Sequence, residues 1–231
     1  MTNLLTYPQG SYKAEKSLAY GVANFMMYLK PFETTIDGVT YNLCPFASLG
    51  CALACLNTAG RGNSPNVIQA RLNRTLLYIT DRREFLRQLE VEITKAVNWS
   101  KKKELTPVFR LNGTSDLPFH KMDIMQKFPD IQFYDYTKIK KKILNNNLPN
   151  YQLTFSLSED NEEEAVEVLN AGFNVAVVFN EIPKTYTLGN IAYKVLNGDK
   201  TDLRYLDNQG VIVGLIAKGR ARKDTTGFVR S

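Results

Sequence analysis

Histidine and cysteine are both scarce in this chain, and each shortage excludes something. One histidine, His120, and three cysteines stand among 231 residues. An odd cysteine count leaves one thiol outside any disulfide framework. The paired C-x2–4-C knuckle of common zinc modules is missing, and a Cys3His site would have to recruit His120. A thiol nucleophile that relies on an imidazole would need the same residue. No run of roughly 18 apolar residues occurs, so no helical membrane span and no membrane partner are expected. The opening MTNLLTYPQGSYKAEK lacks the apolar core of a secretory signal, which places the protein in a cytosolic compartment where disulfides are rare. Repeats and low-complexity linkers are also missing.

What is present suits one α/β domain over residues 1–231, large enough to bury a core without staples. The net charge of +6 is concentrated. Lys101–Lys103, Lys138 with Lys140–Lys142, and the stretch from Lys218 to Lys223 are basic, and an acidic stretch around Glu159–Glu164 opposes them. Solvated helix ends and loops account for these runs better than a nucleic-acid surface, since no nucleic-acid fold motif accompanies them.

Periodicity gives an alternating order of elements. Leu18–Leu29 reads as an opening strand or strand pair. Helices are predicted at 65–79 and 81–99, the second capped by Asp81 with Phe85, Leu86, Leu89 and Ile93 at helical spacing. Strand–helix units follow: a strand at Pro107–Asn112 with a helix from Pro118 to Lys127, then a strand at Ile131–Tyr136 with a basic helix at 137–145. A strand at Tyr151–Ser156 precedes a helix capped by Ser158 and ending at Gly172, and Phe173–Phe179 is a strand apolar enough to be buried on both faces. Tyr193–Leu196, Leu203–Leu206 and Val211–Ala217 read as strands joined by Asn197-Gly198 and Gln209-Gly210 turns. The expected fold is a partial (β/α) barrel with a C-terminal antiparallel extension.

Polar residues gather where the strands end: Arg110, Asn112, Ser115 and Asp116, then Asp135, Tyr136 and Lys138, then Ser156, Asn180 and Lys218. In βα folds that end carries the site, so these are candidate cofactor- or ligand-lining groups. Arg110 is read first as a structural partner of Asp116 or Asp135. Tyr134 and Tyr136 read as sheet packing with polar tips. Lys218-Gly219-Arg220 suits a phosphate or carboxylate and equally a basic surface loop. His120 is read either as a helix-start residue or as a group near the metal.

Cys44-Pro45-x5-Cys51-x3-Cys55 places three thiols within twelve residues, the last two one helical turn apart. Soft thiolates select iron–sulfur clusters, zinc or copper(I). The reading is a [4Fe–4S] cluster on a loop at 44–55, ligated by Cys44, Cys51 and Cys55. Its fourth iron is left to solvent, a non-cysteine group or a small-molecule ligand. Zinc, and buried or catalytic thiols, stay open beside it. Three functions follow: redox chemistry on a small molecule, zinc-stabilised binding of nucleic acid or a host protein, and electron transfer.

Four segments in order, CPFASLGCALACLNTAGRG, RLNGTSDLPF, YDYTK and GDKTDLRYLDNQGVIVGLIAKGRARKDTTGF, resemble the phage-encoded gene-product-eighty-eight-like family, from about Leu18 to Phe228. The resemblance implies a viral protein in the cytoplasm of an infected bacterium. A host electron donor is a candidate partner of the cluster. The cysteines and the βα order also resemble radical S-adenosylmethionine enzymes, which leave one iron open in a partial barrel. Here C-x6-C-x3-C replaces their C-x3-C-x2-C, and no Gly-Gly-Glu pattern follows. The departure weighs against S-adenosylmethionine, whereas a cluster needs only three converging thiolates.

Overall fold

Runs of β-branched and aromatic residues between turn signals become strands, and the longer amphipathic stretches become helices. The computed structural model describes residues 3–231. In chain order its strands are β1 (Leu5–Thr6), β2 (Val22–Met27), β3 (Glu33–Ile36), β4 (Val39–Asn42), β5 (Thr106–Arg110) and β6 (Gln132–Thr137), then β7 (Tyr151–Ser156), β8 (Val175–Phe179), β9 (Thr185–Leu188), β10 (Ile191–Asn197), β11 (Ile212–Ile216) and β12 (Val229–Arg230). The helices are α1 (Tyr12–Glu15), α2 (Leu49–Leu53), α3 (Pro65–Thr80), α4 (Arg82–Lys102), α5 (Ile124–Lys127), α6 (Lys140–Leu144) and α7 (Glu162–Asn170). The architecture is mixed α/β with a mostly parallel central sheet, and no barrel closes among the described residues. Two compact units divide the chain. The first takes it up to Pro45, with Ser64–Asp135 and Leu148–Gln152; the second is Phe46–Asn63, Tyr136–Asn147 and Leu153–Ser231.

In the first unit β2 and β5 run parallel, with Phe25 opposite Phe109, and β5 continues parallel to β6. β1 joins the outer edge of β2 antiparallel. Phe25, Phe109 and Phe133 stack across these strands at ring separations of 5.1 and 5.6 Å. Burying each such ring contributes on the order of 2–3 kcal/mol. α4 covers the sheet through Phe85, Leu89, Ile93 and Ala96, all fully buried. Its N-cap is the expected one, because the Asp81 carboxylate accepts the Glu84 amide at 2.9 Å. The Glu92 carboxylate on the same helix accepts the Leu4 and Leu5 amides, which fixes β1.

In the second unit β8 lies parallel to β11 along its whole length. Its opposite edge is shared in succession by β7, beside Val175 and Ala176, and β12, beside Val178 and Phe179. β10 runs parallel to β11 and antiparallel to β9.

Several expectations change. The stretch 118–127 is a 3-10 turn at Phe119–Lys121 and one turn of α5, because Asp123 adopts φ 57°, which a continuous helix does not tolerate. Ser158 does not cap α7. Asn161 stands at the N-cap position without a side-chain bond into the helix, and its side-chain oxygen accepts the Ser158 amide instead. Asn197-Gly198 is no hairpin turn, since β10 and β11 are parallel, and Leu203–Leu206 is a 3-10 turn at Arg204–Leu206. The antiparallel pairing at the C-terminal side is β9 with β10, which the sequence reading did not include. The β3–β4 hairpin also went unread, although Asp37-Gly38 (φ 49° and 78°) carries a strong hairpin turn signal.

Candidate functional site

Cys44 closes the β3–β4 hairpin in the first unit. Its amide donates to Asn42 Oδ1 at 2.8 Å, and its Sγ accepts the Phe32 amide at 3.4 Å. The thiol itself is directed at the Thr114 carbonyl, 3.6 Å away. Phe32 adopts φ 57°, a conformation that costs a non-glycine residue on the order of 1 kcal/mol and here turns its N–H onto the sulfur.

Cys51 and Cys55 belong to the second unit. Ser48 is the N-cap of α2, its hydroxyl oxygen accepting the Cys51 amide at 3.1 Å. The Glu159 carboxylate grips the same helix start, taking the Gly50 amide at 2.6 Å and the Ser48 hydroxyl at 2.8 Å. Gly50 must lack a side chain, since a Cβ would lie 2.2 Å from Thr226 Oγ1 and 2.7 Å from Phe228 Cβ. Cys51 packs against Ala54, Ala217, Ala221 and Phe228. Burial pushes its thiol above the ordinary range; Lys138 opposes that shift, while Cys55, Glu159 and Asp160 add to it. Burial of this kind makes a thiol a poorer nucleophile. No disulfide joins the three cysteines.

Lys138 is 8% exposed; its ammonium donates to the Ser156 carbonyl at 3.1 Å and lies 5.3 Å from the centre of the Phe228 ring. Two predicted groups, Lys138 and Ser156, therefore meet. Lys218 pairs instead with Asp199, the amide of Asn180 donates to the Arg230 carbonyl, and Tyr136 is half-buried.

The other predicted lining residues are in the first unit. Asn112 and Asp135 form a buried node: Asp135 accepts the Asn112 amide at 2.8 Å, the Asn112 side-chain NH2 at 3.1 Å and the Tyr151 hydroxyl at 2.9 Å. Asn112 Oδ1 in turn accepts Ser115 Oγ and the Leu117 amide. Arg110 is buried, and the Asp116 amide donates to the Leu43 carbonyl. Tyr134 behaves as a packing tyrosine with a polar tip, its hydroxyl accepting from Asn24 at 2.7 Å. His120 stacks on Tyr151 at 6.2 Å. A cleft of about 250 Å³ opens in this unit beside Asn42, Leu43, Tyr78 and Arg82, and none of the predicted lining residues borders it. The Arg82 guanidinium sits over the Tyr78 ring there, 3.7 Å from its centre.

Tested against a thiolate-bound metal group, the donor chemistry fits: three cysteines, an N–H bond to one sulfur, and a buried ammonium near another. Among the described residues, however, no group of three or more His, Cys, Asp or Glu side chains is gathered to hold a metal ion. Ser48 was within reach of sequence reasoning, as a capping serine three residues before Cys51. Glu159 was not, because its contact spans more than a hundred residues.

Element order and strand pairing together define a mixed α/β protein with a mostly parallel central sheet. The Gene product 88 family model matches residues 6–231, and the chain belongs to that family. No curated protein and no solved structure matches it.

Proposed function

We propose that this is a phage iron–sulfur protein, working in the cytoplasm of the infected bacterium, that holds a [4Fe–4S] cluster through Cys44, Cys51 and Cys55. The observation that carries the reading is the Phe32 amide bonded to Cys44 Sγ, since N–H bonds to ligand sulfurs tune such clusters. When bound, the cluster supplies one-electron chemistry and one coordination position free of cysteine. The chain's own residues do the rest. Ser48 and Glu159 fix the helix that carries Cys51, Lys138 offsets thiolate charge, and Ala54, Ala217 and Phe228 keep water from Cys51. Arg110, Asn112, Ser115, Asp116, Tyr136, Lys138 and Lys218 are the candidate groups toward a small-molecule ligand. The parallel pairings within each set, β2–β5–β6 and β7–β8–β11, support a βα architecture of the radical-enzyme kind. Family membership supports a phage origin. S-adenosylmethionine is left out of the proposal.

Anaerobic purification tests it. The expected product is brown, with about four irons and four sulfides per chain. Each Cys→Ser variant should lose most of that iron while keeping its far-UV circular dichroism. A colourless protein with stoichiometric zinc, or one whose iron ignores all three substitutions, overturns the reading.

A further inference from the structure

The cysteine segment has a second face. Phe46, Leu49, Leu53 and Leu56 are 56%, 70%, 53% and 45% exposed, four large apolar side chains within eleven residues. Single exposed apolar residues are ordinary; four this close along the chain are not. Helix geometry explains the grouping. Leu49 and Leu53 are one turn apart on α2, while Cys51 and Ala54 point the other way into the cluster with Ala217, Ala221 and Phe228. The leucines cannot turn inward without pulling Cys51 out.

A cationic turn is fixed beside Leu56. The 3-10 turn at Leu56–Thr58 packs against the 3-10 turn at Gly219–Lys223. Gly219, at φ 58°, lets the two chains close up, because a Cβ there would lie 3.1 Å from that of Ala59. Arg220, Arg222 and Lys223 are exposed on this turn. The neighbouring Asp224 carboxylate is instead occupied by Thr226 and the Val229 amide.

We infer that this face docks a small acidic electron-carrier protein, whose acidic rim meets Arg220, Arg222 and Lys223 and whose apolar centre meets the leucines. The inference rests on the cluster reading for its purpose, since a redox centre needs a donor, but not for its contact surface. Nucleic acid is the poorer match, because leucines offer bases no stacking platform and Phe46 is the single aromatic ring in the group. A small apolar centre with cations beside it suits the weak, short-lived encounters typical of redox partners.

The experiment titrates two purified acidic carriers, a flavodoxin and a plant-type [2Fe–2S] ferredoxin, into the full chain at low and high salt. At least one should bind in roughly the 1–100 μM range and weaken about tenfold at high salt. Leu49→Asp with Leu53→Asp, and separately Arg220→Glu with Arg222→Glu, should each raise Kd at least tenfold while circular dichroism and melting stay as in the parent. Binding by neither carrier, or binding untouched by both double variants, overturns the inference. So does tighter, Leu49/Leu53-independent binding to a single-stranded oligonucleotide or to phosphatidylserine vesicles. Because binding is read without electron transfer, the two ideas separate. Docking through these residues in an iron-free protein would sink the cluster alone, and an iron-loaded protein that docks neither carrier would sink the docking face alone.

Discussion

The carboxylate of Glu159 accepts the amide of Gly50, 109 positions away in sequence, at 2.6 Å, and so anchors the helix that carries Cys51. Replacing Glu159 with Ala strands that amide and the Ser48 hydroxyl, at a cost of about 1–3 kcal/mol. Glu159→Gln keeps one acceptor and should recover part of the loss. Urea midpoints of the two variants decide it: equal midpoints would mean the contact is idle.

Gly50→Ala should be worse than its helix propensity suggests. Alanine normally favours a helix by up to about 1 kcal/mol over glycine. Here the added methyl meets Thr226 and Phe228 well inside contact distance. A net destabilisation of about 1–3 kcal/mol is expected from overpacking. Thr226→Ala combined with Gly50→Ala should restore some of it, a non-additive pair readable in a double-mutant cycle.

At Phe32 the backbone, not the side chain, makes the contact with Cys44. Phe32→Gly should keep the N–H bond and lower the conformational cost of φ 57°, so the melting temperature holds or rises. Phe32→Val should lower stability by about 1 kcal/mol or more, because β-branched residues tolerate that region poorly.

Tyr151→Phe removes a hydrogen bond to the buried Asp135 carboxylate. A loss of about 1.5–3 kcal/mol is expected, as for bonds to charged groups. Burial, reinforced by Asp135, holds the Tyr151 phenol well above its ordinary range. Its ultraviolet titration should therefore appear only on unfolding in strong base.

Asp224 gives a pH dependence. Burial pushes its carboxyl up, but hydrogen bonds from the Val229 amide and Thr226 outweigh that and hold it below the usual 3.8. A carboxyl depressed in the folded state contributes stability that is complete above its unfolded value and lost as pH falls through the folded one. Acid unfolding of the parent should therefore include a component below about pH 4 that Asp224→Asn lacks.

Where local chemistry decides structure, the sequence was readable. The Asp81 cap, the apolar stripe of α4 and the buried run of β8 need nothing from distant residues. The failures share a cause. Asn197-Gly198 carries a hairpin signal, but the partner of β10 on that side arrives in parallel, and only the tertiary arrangement settles that. The Asn112–Asp135–Tyr151 node was half legible, as polar residues at strand ends, without any sign that they would bond to one another. The cysteines announced themselves by spacing, whereas Glu159 and Phe32, which position two of them, did so not at all.

The packing around Cys51 also sets a schedule. Ala217, Ala221 and Phe228, which enclose it, are made roughly 170–180 residues after it. At about 5–20 residues per second, the newborn thiol stays open to the cell for on the order of ten seconds or more on the ribosome. That interval is the time in which the thiol can be oxidised before its packing partners exist.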